Sequence, residues 1–158
     1  MTERLRYWEA NPRAGKAMKA MQEYVDTSGL GSSLLELVKL RASQLNGCAF
    51  CVDMHSHDAL EAGESVERLF AVSVWRDAPW FTPRERAALE WTEAVTRLPE
   101  GGVPDEVYAE ALRHFDEAEL VDLTLAIVAI NGWNRLAVPF RVVPGSFRKA
   151  GAQTGGVA

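Results

Sequence analysis

The chain has 158 residues, 47% of them hydrophobic and 25% charged, which suits one compact domain over residues 1–150 and disfavours disorder, collagen-like repeats or a fibrous role. Seventeen Lys and Arg against 22 Asp and Glu leave a net charge of −5, the wrong sign for neutralising nucleic acid or anionic lipid. The N-terminus is charged from Glu3 onward, and the longest unbroken apolar run is Leu125 to Ile130, so neither a signal peptide nor a membrane span is expected and the expected location is cytoplasmic.

Apolar residues recur at spacings of three and four, as in Leu35, Val38, Ala42, Leu45 and in Ala87, Trp91, Ala94, Leu98, the period of an amphipathic helix. In chain order the pattern predicts helices near residues 12–27, 33–46, 48–63, 66–77, 83–98, 104–115 and 117–137, an all-α bundle of six to seven helices. Capping signals mark the starts: Ser33 with Glu36, Ser65 with Arg68 in place of an acid, Thr82 with Glu85 around Pro83, and Asp116 with Glu119. Turn residues separate the runs, among them Gly29, Gly31, Asn46 with Gly47, Gly63, Pro79, Pro99 and Pro139. The last helix is apolar on more than one side, which predicts a central position or a contact between subunits. Residues 151–158, small and without period, are expected to be disordered.

The chemistry concentrates in Gln44 to Ala59, where Asn46 and Gly47 close one helix and Cys48 opens the next. At ~100° per residue Cys51 and His55 fall within roughly 60° of Cys48, so the three side chains share one face. His57 lies off that face and is read as a surface or packing histidine; Asp53 also points away and is read as solvated. A dithiol at a helix start favours thiolate, because the dipole and unpaired N–H groups stabilise negative sulfur. Two acids suit the role of orienting His55: Glu36, which also completes the Ser33 capping box, and Asp58, one turn beyond the imidazole. The same residues admit two other readings, a zinc site on Cys48, Cys51 and His55, and a pair of inert core cysteines.

The segment LLELVKLRASQLNGCAFCVDMHSHDA resembles the alkylhydroperoxidase core of the carboxymuconolactone decarboxylase and AhpD-like superfamily. The family pattern is Glu, eleven residues, Cys, two residues, Cys, three residues, His, and Glu36, Cys48, Cys51 and His55 match it at every spacing. The likeness runs over roughly residues 15 to 140. It implies an AhpD-like helical bundle, assembled as a homotrimer or homohexamer, that reduces hydroperoxides with its cysteine pair and uses no metal, haem or flavin. It implies further that Cys51 attacks the peroxide, Cys48 resolves the sulfenic acid, and Glu36 with His55 relays protons. Dipole reasoning alone favours Cys48, which stands nearer the helix start, as the thiolate. The regenerating partner is expected to be an external dithiol or lipoyl-type reductant.

One departure stands out: the namesake hydroperoxidase carries a histidine directly before the second cysteine, and this chain has Phe50. Two alternatives accompany the peroxidase reading, lactone decarboxylation as in the decarboxylase branch and a non-enzymatic redox-sensing oligomer. Asn131, Asn134 and Arg135 are expected to be hydrogen-bonded structural groups of a buried helix, and His114 a helix-end residue without chemistry.

Overall fold

The computed structural model describes residues 2–148. Within them lie eight α-helices and one 3₁₀ turn, with no strand: α1 (Tyr7–Ala10), α2 (Pro12–Asp26), α3 (Ser32–Leu45), α4 (Ala49–Glu61), α5 (Val66–Ala71) running into the 3₁₀ turn Val72–Val74, α6 (Pro83–Arg97), α7 (Asp105–Leu112) and α8 (Glu117–Phe140). The expected count of six to seven is therefore low. The addition is α1, a single turn too short to show periodicity. The expected helix over 66–77 is broken after Ala71 by the tighter turn. The tail at 151–158 lies outside the described residues.

Capping chemistry accounts for most of the starts. Thr82 with Glu85 and Asp116 with Glu119 form reciprocal capping boxes, and the Ser65 hydroxyl accepts from the Arg68 N–H. The Ser33 box does not form: α3 begins at Ser32 behind its N-cap Gly31, whose φ of 88° is left-handed backbone that glycine alone enters freely. Pro139, expected to punctuate a turn, lies within the last turn of α8, which ends at Phe140 and is closed by Arg141 at φ 55°.

Two helices organise the bundle. Helix α3 is buried round most of its girth: Leu34, Leu35 and Val38 enter one apolar cluster with α6 and α8, Leu37 and Leu40 a second with Val72, Trp75 and Leu89, and Ala42 a third with Cys48 and Cys51. Each such leucine contributes about 1.5–3 kcal/mol by leaving water, and trimming Leu37, fully buried, to Ala would cost ~2–5 kcal/mol. Helix α8 is long and apolar enough to cross a membrane by length and composition alone, but α2, α3, α4, α6 and α7 pack on it. Its polarity pattern thus fits a central place, one of the two settings its multi-sided apolar surface predicted. The antiparallel return of α4 along α3 is what positions the site.

Candidate active site

Gly47, at φ 64°, turns the chain between α3 and α4 so that α4 runs back along α3. Cys48 is the N-cap of α4, and its Sγ accepts the Cys51 N–H at 3.4 Å, taking the place that Ser or Asp holds at ordinary helix starts. Both thiols are free and buried, each 1% exposed. The turn is tied down from α8: Asn46 Nδ2 donates to the side-chain oxygens of Asn131 and Asn134 at 2.8 Å each, and Asn134 Nδ2 donates to Ser43 Oγ at 3.1 Å. Arg135 donates to the Asn131 side-chain oxygen at 2.9 Å. The asparagines and Arg135 are hydrogen-bonded structural groups, and their structural work is to hold the cysteine turn.

His55 and Glu36 meet as the spacing predicted. His55 Nδ1 lies 2.7 Å from Glu36 Oε2, and the other Glu36 oxygen accepts from Lys39 Nζ at 2.9 Å. Lys39 is itself buried and reaches Asp26 at 3.5 Å, so a chain of charges runs from the imidazole to the surface. With Glu36 ionised, Nδ1–H donates, and Nε2, buried and without a protein partner, is left as the basic nitrogen. Asp58 approaches Nδ1 only to 4.0 Å and is half exposed, which makes it a secondary charge. Of the two acids, the geometry favours Glu36. Because Glu36 turns to His55 and Lys39, it caps nothing, which is why the Ser33 box is absent.

Two expectations for neighbouring residues come out differently. His57 stays off the cysteine face, 3.6 Å from Glu61 and edge-on to Phe147 at 6.0 Å between ring centres. Asp53 also points away but is not solvated: its Oδ1 holds Arg148 at 2.5 Å. That partner lies 95 positions away, beyond the reach of helical arithmetic. His114 pairs with Glu110 at 3.1 Å. Among the described residues, the groups able to gather round a cation are Glu36, His55 and Asp58, and His57, Asp58 and Glu61, with ligand atoms within 4.8 Å in each; neither includes a cysteine, as the zinc alternative requires.

A cavity of about 510 Å³ opens onto the site, lined on one side by Cys51, His55 and Glu36 and on the other by Tyr7, Trp8 and Trp133. Cys48 lines a different, smaller cavity of about 270 Å³. The Cys51 thiol hydrogen bond brings Cys48 down to about 7 against the effect of burial, helped by the Cys51 N–H and the Asn134 amide. Cys51 is pushed up, first by the same hydrogen bond, then by burial and by the charge on Cys48. The pair thus holds one proton near neutrality, and that titration belongs to both sulfurs. Burial raises the Glu36 carboxyl, but hydrogen bonds from His55 and Lys39 outweigh it and hold it below the usual carboxylate value. Tyr7, Trp8, Lys39 and Asp26 were not among the expected site residues. A lysine on a helix surface pattern reads as solvated, and α1 gave no pattern at all.

An all-helical bundle with one cysteine capping a helix and a second in its first turn, and a glutamate and histidine converging beside them, defines a class, and matching it to known proteins gives the family. The chain belongs to the carboxymuconolactone decarboxylase family, whose model matches residues 12–94. It is 42% identical over 138 residues to the uncharacterized protein YdfG of Bacillus subtilis, covering 87% of this chain and 94% of that one. Among solved structures it is similar to ATU0492 of Agrobacterium tumefaciens, a protein of unknown function whose suggested role is the antioxidant defence protein AhpD, with a TM-score of 0.88, 46% identity, and coverage of 90% and 98% of the two chains. The debrominase Bmp8 shares the fold at a TM-score of 0.77 and 18% identity, over 87% of this chain and 74% of that one.

Proposed function

We propose that the protein is a thiol peroxidase that reduces organic hydroperoxides with the Cys48–Cys51 pair and needs no metal. The observation that carries the proposal is the convergence, on one cavity wall, of Cys51 with His55, whose Nδ1 is held 2.7 Å from Glu36. This is a nucleophile, a base and an orienting acid in one place. His55 Nε2 takes the proton that the pair releases near pH 7. The thiolate charge settles on Cys48 at rest, but only Cys51 faces the large cavity, so the proton crosses between the sulfurs and Cys51 attacks.

Attack on the terminal peroxide oxygen breaks the O–O bond, leaves Cys51 as a sulfenic acid and releases an alcohol. Cys48 then displaces water from that sulfenic acid and closes the disulfide. Two electrons and two protons from an external dithiol, of small-molecule or lipoyl type, reopen it. Treating the reduced protein with one equivalent of cumene hydroperoxide in the presence of chelator tests the scheme. It predicts one alcohol released and one Cys48–Cys51 disulfide formed by mass spectrometry. A protein that keeps both thiols through that treatment contradicts it.

A further inference from the structure

The large cavity has a roof that α3 and α4 do not supply. The N-terminal segment crosses the end of α8, where the Arg4 N–H donates to the Phe140 carbonyl at 2.9 Å and the Arg4 guanidinium to the Pro139 carbonyl at 3.2 Å. This seats α1, with the Tyr7 ring 4.8 Å from Trp8 and 6.0 Å from Phe140, and Trp8 in turn 5.3 Å from Trp133. The seat depends on Gly15, since a Cβ there would fall 2.3 Å from the Trp8 indole.

Tyr7 carries the one hydroxyl among the residues lining this cavity. Among the other polar groups, Lys39 is held by Glu36 and Asp26, Gln22 bonds Asp26 and Trp133, the Asp58 carboxylate only accepts, and His55 Nε2, on the proposed function, holds the proton of the cysteine pair. Burial raises the Tyr7 phenol to about 12, with further lift from charge on Cys51, so it stays protonated beside a thiolate. A phenol so shifted is still a far stronger acid than an aliphatic alcohol.

We propose that Tyr7 is a catalytic residue that donates its hydroxyl proton to the leaving oxygen of an organic hydroperoxide, whose apolar group lies against Trp8, Phe50 and Trp133. The assignment rests on the peroxidase reading above. In the step, an electron pair on Cys51 Sγ forms the S–O bond to the terminal oxygen, and the O–O bond breaks with its pair leaving on the alkoxide. The alkoxide takes the Tyr7 proton and departs as alcohol, and solvent returns a proton to the phenolate. The aromatic roof selects bulky aryl or branched alkyl hydroperoxides.

The test is single-turnover oxidation of the reduced protein without free thiol, followed by rapid quench and mass spectrometry, using two oxidants of similar shape. Cumene hydroperoxide leaves as a basic alkoxide that needs a proton, whereas perbenzoic acid leaves as a carboxylate that does not. Tyr7→Phe is expected to slow the first about 10- to 100-fold and the second by less than about threefold. Equal slowing of both, as a merely structural tyrosine gives, or slowing of neither overturns the assignment. If wild type is oxidised by neither, the peroxidase reading itself falls and the role of Tyr7 with it. Reaction with perbenzoic acid reports that the variant site is intact, and Tyr7→Met supplies the same contrast if Tyr7→Phe does not fold.

Discussion

Two largely shielded glutamates, one on α3 and one packed against it, do opposite things with similar hydrogen bonds. Glu93 on α6 accepts from Arg41 at 2.8 Å, from the Trp75 indole at 2.8 Å and from Arg76 at 2.8 Å. Glu36 on α3 accepts from Lys39 and faces a histidine at 2.7 Å. Both carboxyls are held below their usual value: burial raises each, and hydrogen bonding outweighs it. The difference lies in the partners. Guanidinium groups stay charged at any working pH, so Glu93 is locked into one state and joins α3, α6 and the segment at Trp75. The Glu36 partner is instead an imidazole, and the pair opens on a cavity beside a thiol, so on the proposed function the same kind of bond serves as a relay.

That contrast can be broken most severely at the sulfur. Cys51→Ser is expected to lower hydroperoxide turnover by on the order of 10³-fold or more with the fold intact, measured as peroxide loss under saturating dithiol. Glu36→Gln keeps shape but removes the charge that orients His55, and should cost about 10²- to 10⁴-fold in the same assay, with a smaller loss of stability than Glu93→Ala because the amide oxygen still accepts from Lys39. Glu93→Ala should show the reverse pattern. It leaves Arg41 uncompensated in a mostly buried position, destabilising by about 3–5 kcal/mol in denaturant titration, while the folded fraction retains its rate per molecule.

The pH dependence sharpens the comparison. Thiolate absorbance and alkylation rate should rise as pH passes about 7, since deprotonation creates the nucleophile, and in Cys51→Ala the Cys48 transition should move upward because its largest stabilising hydrogen bond is gone. The two glutamates contribute stability at neutral pH that is lost as pH falls below the ordinary carboxylate value, because protonation breaks bonds made only to the charged form. Glu36→Gln should flatten that acid limb in a urea titration series, and an unchanged limb contradicts the lowered carboxyl. The smallest effect is at the rim, where Asp58 stands 4.0 Å from His55: Asp58→Asn should change turnover by less than about fivefold.

Much of this was legible in the sequence because the site is built from one helical hairpin. The Cys48, Cys51 and His55 face follows from helical angle, and the Gly47 turn brings Glu36 over it. The limits were equally local. Ser33 with Glu36 matches a capping box letter for letter, but Gly31 begins the helix earlier and His55 competes for the carboxylate. Tyr7 sits on a four-residue helix that owes its place to Arg4, Trp8 and Gly15, contacts that no period reveals. Lys39 is buried only because Glu36 and Asp26 converge on it from different elements, and Asp53 finds Arg148 across most of the chain. In these cases a contact that helical periodicity does not reveal decides what the residue does.

The most direct test of the central claim is steady-state consumption of cumene hydroperoxide by chelator-treated protein with dithiothreitol, comparing wild type with Cys51→Ser and Cys48→Ser. The account predicts sustained turnover by wild type, no catalysis with serine at Cys51, and, with serine at Cys48, a sulfenic acid that dithiothreitol reduces through a mixed disulfide with no intramolecular disulfide formed. Turnover that survives the loss of Cys51, or that vanishes from wild type when metal is removed, contradicts it.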